Sequence, residues 1–335
     1  MKQSATKSDL ITLDEFIIDS QRQFPHATGD LSQLLRDITL ACRIIARRAD
    51  ESGLNDIRNQ QKMIGYNRLA ELQEFAVDQF RLALDRSGIV RFMAMSFSDQ
   101  HMRLNTDGGK YIVVLHPIEG IPNMAYNASA SSVFGIYRYN PEIEDGEKQV
   151  LRSADELVAS GYVLYGSSVM LVFTTVGLGV HFFTLDDDVG EFFLAGKDIK
   201  VPEKSNYFSC NTGYEYAMDE ANQQVLRYLR NESGEGEEYK YRYIGSLSAD
   251  IHRIILEGGI FIYPPNSILK NGKLATLYEC GPIALIMEHA GGIATDGQQR
   301  IMNKIPVEIH DKTPFYAGSP DNMKKIEAIL DSKNS

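Results

Sequence analysis

His116, Glu119 and Gly120 follow directly on an apolar, mostly β-branched run, Ile112-Val-Val-Leu115, with Pro117, Pro122 and Asn123 close by. Imidazole and carboxylate are groups of proton transfer and metal ligation. At the end of a buried strand they reach the rim of a sheet, where α/β enzymes bind ligands. The plainer reading is a strand followed by a turn, since Pro and Gly are turn residues. A second such place is Thr28-Gly-Asp-Leu-Ser32, which leads into an amphipathic helix running to about Arg48. N–H groups at a helix start hold an anion with help from the helix dipole, and the plainer reading is an ordinary capped helix. Glu142-Ile-Glu-Asp-Gly-Glu147 reads as a solvated loop, and Asp186-Asp-Asp188 as a turn between strands, with no further ligands near it in sequence.

Around these groups the spacing predicts a helix over 12–24, interrupted at Pro25, and another over 66–86. Strand-like runs follow at 89–96, 110–116, 131–139, 161–175, 180–185 and 191–195. Six strands with few helices between them suggest an antiparallel or mixed sheet covered by the early helices, an α+β arrangement. The pattern changes near 196–203. A strand at 206–210, a helix around 217–231 and a loop rich in Gly and Glu at 232–238 come next. A helix from Leu247 to Gly258, a strand Gly259–Tyr263, and a helix from Gly281 to Ala290 stopped by Gly291-Gly292 complete an α/β second half. The expected class is α/β overall, in two domains, 1–197 and 198–335.

The chain has 335 residues, room for two domains, and a formal charge of −11 that argues against a general nucleic-acid binder. Cys42, Cys210 and Cys280 are far apart and form no CxxC pair, the usage of a reducing compartment. The first residues lack the apolar core of a signal peptide, and no run approaches the ~18 apolar residues of a membrane span. The expectation is a soluble, cytoplasmic protein with no nucleic-acid or membrane partner.

Arg242-Tyr-Ile-Gly-Ser-Leu-Ser-Ala-Asp-Ile-His252, Gly258-Gly-Ile-Phe-Ile-Tyr-Pro264 and Gly272-Lys-Leu-Ala-Thr-Leu-Tyr-Glu-Cys-Gly-Pro282 closely resemble class I fructose-1,6-bisphosphatases. So do Thr28–Ser32, Gly109-Lys-Tyr111, Phe134-Gly-Ile-Tyr-Arg138 and Gly161-Tyr-Val-Leu-Tyr-Gly-Ser167, so the resemblance spans nearly the whole chain. It implies a layered αβαβα fold, usually a homotetramer. It also implies hydrolysis of the 1-phosphate of fructose 1,6-bisphosphate with Mg²⁺ or similar ions, in gluconeogenesis, often inhibited by AMP. By this resemblance Asn211, Tyr214, Tyr243, Tyr263 and Lys273 hold the sugar or its 6-phosphate, and Arg242 reaches the phosphate of the neighbouring subunit. Cations for charge, with Tyr and Asn for directional hydrogen bonds, suit a dianion. Thr28, Gly29, Asp30, Leu31 and Ser32, with Lys110, Tyr111 and Arg138, resemble the family's AMP-phosphate site, with Asp30 and Ser32 in place of Glu and Thr.

The catalytic side departs from the family pattern. The signature Asp-Pro-Leu-Asp-Gly-Ser-Ser-Asn-Ile-Asp here reads His116-Pro-Ile-Glu-Gly-Ile-Pro-Asn-Met-Ala125. Ser96-Phe97-Ser98 replaces an upstream Ser-Glu-Glu motif, and a further acidic position falls near Lys62-Met63-Ile64. Glu279 is kept. Mg²⁺ wants oxygen ligands in a near-ideal octahedron, which imidazole and phenyl do not supply. Pro122 has no N–H and Ile121 no hydroxyl to offer a phosphate. The expectation is therefore a homologue that binds fructose 6-phosphate or fructose 1,6-bisphosphate but has lost most metal ligands, a pseudoenzyme or regulatory subunit. Such a protein forms a homotetramer or a hetero-oligomer with an active relative. Two alternatives stand beside it. One is an active phosphatase with a rebuilt site, in which His116, Glu119 and Glu279 hold Mn²⁺, Fe²⁺ or Zn²⁺ and Asp99 adds an oxygen or acts as base. The other is an assembly partner without a ligand. A divalent ion, Mg or Mn by resemblance, is expected only in the rebuilt case.

Overall fold

The computed structural model describes residues 10–22, 29–58, 66–104, 108–234 and 236–334. Thr28 and Lys62–Ile64 lie outside them. Apolar residues three and four apart build the first helices, α1 (Leu13–Gln21), α2 (Asp30–Arg58) and α3 (Tyr66–Ser87). The helix expected over 12–24 is shorter: Thr12 accepts from the Glu15 N–H while the Glu15 carboxylate accepts from the Thr12 N–H, a reciprocal cap that fixes its start. In turn, α2 runs ten residues beyond the expected end at Arg48.

Strands β1 (Val90–Met95), β2 (Met102–Arg103), β3 (Tyr111–Glu119), β4 (Ala130–Arg138), β5 (Leu157–Tyr165), β6 (Val169–Thr175), β7 (Val180–Asp186) and β8 (Glu191–Gly196) form one sheet in the order 2-1-3-4-5-6-7-8. Short helices α4 (Ile121–Met124) and α5 (Glu147–Val150) interrupt the series. The pair β1–β3 is parallel and the other neighbours are antiparallel, so the sheet is mixed. The single strand expected over 161–175 is instead a hairpin, β5 and β6, turning at residues 166–168. The turn residues Gly166-Ser-Ser168 lie inside an apolar run, which hid the break. Asp186 does close a turn, its carboxylate accepting from the Asp188 and Val189 N–H groups at 3.0 and 3.1 Å.

The second half holds β9 (Tyr207–Cys210), α6 (Glu220–Leu229), β10 (Lys240–Tyr241), α7 (Leu247–Glu257), β11 (Ile260–Tyr263), β12 (Leu274–Ala275), α8 (Gly281–His289), β13 (Ile293–Thr295), β14 (Lys312–Thr313), β15 (Phe315–Gly318) and α9 (Pro320–Asn334). Five strands make a second sheet in the order 10-9-11-15-13, with 10, 9 and 11 parallel. No element after residue 292 was expected, α9 included.

Alternation along β3 shows how the layers stack. Tyr111, Val113 and Leu115 pack with residues of α1, α2 and α3, whereas Ile112 and Val114 pack with α7 and α8. Both faces are buried, which is why the run is continuously apolar. On the far side of α7 and α8 lie Phe261, Tyr263, Phe315 and Ala317 of the second sheet. The opposite face of that sheet, with Phe208, Ile260 and Ile262, is covered by Val225, Leu226 and Leu229 of α6 and Met323, Ile326 and Leu330 of α9. The order of layers is αβαβα. No helix among the described residues is long and apolar enough to cross a membrane.

Candidate functional site

A bulge sets the end of β3. His116 pairs with Val133 and Glu119 with Ser131, so three steps on β3 match two on β4. Residues three apart on a regular strand face opposite sides, and the extra residue returns Glu119 to the side of His116. Pro117 fits there because it needs no N–H in the ladder. Both side chains therefore face the layer that holds α7 and α8.

Glu279 meets them from that layer. It lies in a π-helical turn, Thr276–Cys280, that leads into α8, and such turns recur at functional sites. Its Oε1 is 3.1 Å from His116 Nδ1, and its Oε2 accepts from the Ala275 N–H at 2.5 Å. Burial alone would raise the Glu279 carboxyl. The His116 hydrogen bond and charge, the Ala275 N–H and Lys312 outweigh it and hold the group below its ordinary value. Aromatic rings close around His116. Phe97 and Tyr278 stand edge-on at 5.5 and 5.7 Å between centroids, and the Tyr278 hydroxyl meets His310 Nδ1 at 2.9 Å.

Glu119 is turned to other partners. Its carboxylate accepts from Ser131 Oγ at 3.1 Å, Ser246 Oγ at 2.6 Å, the Leu247 N–H at 3.0 Å and the Ser248 N–H at 3.4 Å. Burial pushes its carboxyl up, with the Glu279 charge adding to the shift and the Ser246 and Leu247 donors opposing it. Asp99 does not join this buried set. Its side chain is fully exposed and lies 3.5 Å from His310 Nε2. Among the described residues no three His, Cys, Asp or Glu side chains are grouped to hold a metal ion. The three residues of the rebuilt site are neighbours, but their oxygens and one ring nitrogen already face internal partners.

The residues expected at the sugar phosphate gather where parallel strands end, the usual crevice of an α/β sheet. Asn211 follows β9, Arg242 and Tyr243 follow β10, and Tyr263 ends β11. Asn211 Nδ2 donates to the Tyr263 hydroxyl at 3.4 Å, while its Oδ1 accepts from the Gly213 N–H and caps the turn that carries Tyr214. Lys273 Nζ stands 5.8 Å from the centre of the Tyr263 ring. Burial, with Tyr263 and Asp250 nearby, pushes the Tyr243 hydroxyl up and keeps it a donor. Tyr214 packs against the core around Phe208 and Cys210. Arg242 is exposed, its Nη1 donating to the Tyr241 carbonyl at 2.7 Å. Asn123 joins the two halves, its Nδ2 donating to the carbonyls of Ser129 and Ile244 at 3.3 and 3.4 Å.

The helix start at Gly29 also has a cavity. Gly29, Leu31, Ser32, Tyr111 and Arg138 line about 380 Å³ together with Phe16 and Phe173. Gly29 has φ +81°, which glycine adopts without strain. Asp30 and Lys110 form an ion pair at 2.5 Å, and the Arg138 guanidinium lies 5.6 Å from the Tyr111 ring centre. Ser32 accepts from Gln21 Nε2.

Two family models divide this fold between them. The N-terminal domain of fructose-1-6-bisphosphatase matches residues 11–197 and the C-terminal domain matches 201–331. The chain belongs to the class I fructose-1,6-bisphosphatase family. A class 1 fructose-1,6-bisphosphatase of Chlorobium phaeovibrioides is 38% identical over 328 residues, 96% of this chain and 98% of its own. The holo form of the Leishmania major fructose-1,6-bisphosphatase superposes with a TM-score of 0.88 at 31% identity, and its T-state with 0.86, each covering 96% of this chain and 99% of the other. Sequence reading missed the partners of Glu119, which lie 12 and 127 to 129 residues away. It also missed Asn123 as a link between halves, although Asn123 stood in the signature.

Proposed function

We propose that this family member binds fructose phosphates in the crevice of Asn211, Tyr214, Tyr243, Tyr263 and Lys273 without hydrolysing them. It acts as a sensor or as a subunit that modulates an active relative. The observation that carries this reading is the state of the two remaining acidic groups. Glu279 is paired with His116, and Glu119 is saturated by four donors. Hydrolysis of a phosphate monoester needs an activated water and a charge clamp on the transferred group, which divalent ions supply in a metal-assisted route. Few oxygens here are free to hold such ions. Ile121, Pro122 and Ala125 remove further donors from the place where the family signature holds phosphate and metal.

The second ligand in this reading is AMP or a similar nucleoside monophosphate, at the cavity of Gly29–Ser32, Tyr111 and Arg138. The domain division at 197/198, a homotetramer and a mixed assembly with an active relative belong to the same proposal. Calorimetry in a chelator tests it together with a turnover assay in Mg²⁺ and Mn²⁺. Fructose 6-phosphate and fructose 1,6-bisphosphate are expected to bind without metal, and inorganic phosphate release to stay at background. Turnover at the rate of an active relative, or no binding of either sugar phosphate, would reject it.

A further inference from the structure

Glu119 is a buried carboxyl group to which the proposed function assigns no task. Three of its four donors, Ser246 Oγ and the Leu247 and Ser248 N–H groups, belong to the start of α7. The first N–H groups of a helix lack partners within the helix and carry the positive end of its dipole. Ser246 makes no side-chain cap of its own to α7. The carboxylate arriving from β3 takes that place instead. Gly120 makes the approach feasible: a Cβ there would lie 3.1 Å from Ser246 Cβ, and its φ of +71° favours glycine.

Asp250 holds the same segment from the other flank. Fully buried in the first turn of α7, it accepts from the Ile244 and Gly245 N–H groups at 3.0 and 3.2 Å and from Ser209 Oγ and Arg253 Nη2 at 2.9 Å. Residues 244–248 are thus gripped by two carboxylates, one from each half of the chain. This segment continues directly from Arg242 and Tyr243, which line the crevice.

We propose that Glu119 is a positioning residue of the sugar-phosphate crevice, tying the end of β3 to residues 246–248 so that Tyr243 and Arg242 are held in place without a metal ion. The proposal rests on the reading of that crevice as a sugar-phosphate site. The extra methylene matters for the tie. An aspartate ends about 1.5 Å shorter, the length of one C–C bond, and cannot accept from Leu247 and Ser248 together without moving the backbone.

Glu119→Gln tests this, because the amide keeps the shape but turns one acceptor into a donor facing other donors. Amide hydrogen exchange of Leu247 and Ser248 in the free variant is expected to accelerate about tenfold. Fructose 6-phosphate affinity in a chelator, measured well below the unfolding temperature, is expected to fall about tenfold. Faster exchange with unchanged affinity would make Glu119 a brace for α7 alone and overturn the proposal, as would no change in either. A wild-type protein that binds no fructose 6-phosphate instead overturns the crevice reading, so the two failures are told apart before the variant is made. Should Glu119→Gln fail to fold, Ser246→Ala removes one donor and takes the same two measurements, with about a threefold loss expected and no loss overturning the tie.

Discussion

Lys273 is exposed and its ammonium stands over the edge of the crevice beside Tyr263. A charge-assisted hydrogen bond to a dianionic phosphate is worth roughly twice a neutral one. Lys273→Ala is therefore expected to weaken fructose 6-phosphate binding by about tenfold to a hundredfold. Its exposed position implies little change in stability, within about 0.5 kcal/mol. Titration calorimetry and thermal melts of the same preparation check both halves, and equal affinity of variant and parent would remove Lys273 from the site. The gathering of Arg242, Tyr263 and Asn211 was foreseeable in the sequence because their segments keep the family pattern and the parallel strands bring their ends together. The fate of Glu119 was not legible. Its donors sit on β4 and α7 and become neighbours only when the two halves pack. Nor was the position of Asp99 legible: its exposed side chain lies beside His310, apart from the buried carboxylates.

At the scale of elements, α7 serves the site through its first turn and the fold through its buried face. On that face His252 stacks on Phe182 with centroids 5.0 Å apart, and its Nδ1 meets the Tyr162 hydroxyl at 3.0 Å. Burial pushes the imidazole down to about 4, against about 6.5 in an unfolded chain. Between those values the unfolded chain takes a proton that the folded one refuses. The contribution of His252 is whole above about pH 6.5 and is lost as pH falls toward 4, to a total of about 3 kcal/mol. Burial lowers His181 and His289 in the same direction. Melting temperature is expected to fall as pH drops from 6.5 to 4, and His252→Gln to flatten part of that slope. An unchanged slope in the variant would assign the loss to other groups. The helices and central strands of this scale were legible from periodicity. The β5–β6 turn and the strands after residue 292 were not, since a turn of Gly and Ser inside an apolar run and strands of two to four residues leave little pattern; α9 was missed although Met323, Ile326 and Leu330 stand at helical spacing.

For the molecule as a whole, the layered order follows from which residues of β3 face which helices, and the crevice lies at the strand ends of the second sheet. Arg242 is the member of the proposed set that the family resemblance assigns to a neighbouring chain. It is exposed, its Nη1 donating to the Tyr241 carbonyl, a bond it has to release to reach across an interface. In the proposed tetramer it completes the phosphate site of a neighbour, while Lys273 serves its own chain. In a two-fold pair each chain lends its Arg242 to the other. A chain carrying Arg242→Ala keeps its own Lys273 and needs an intact arginine from its partner. A chain carrying Lys273→Ala supplies that arginine but has no lysine of its own. Each variant alone is expected to bind fructose 6-phosphate weakly. Unfolded together and reassembled in equal amounts, they pair at random, and about a quarter of all sites regain both cations. Calorimetry of the mixture should then show a fraction of sites with the parent affinity, and light scattering should give the same mass as the parent. A mixture no better than either variant alone would place Arg242 outside the neighbouring site.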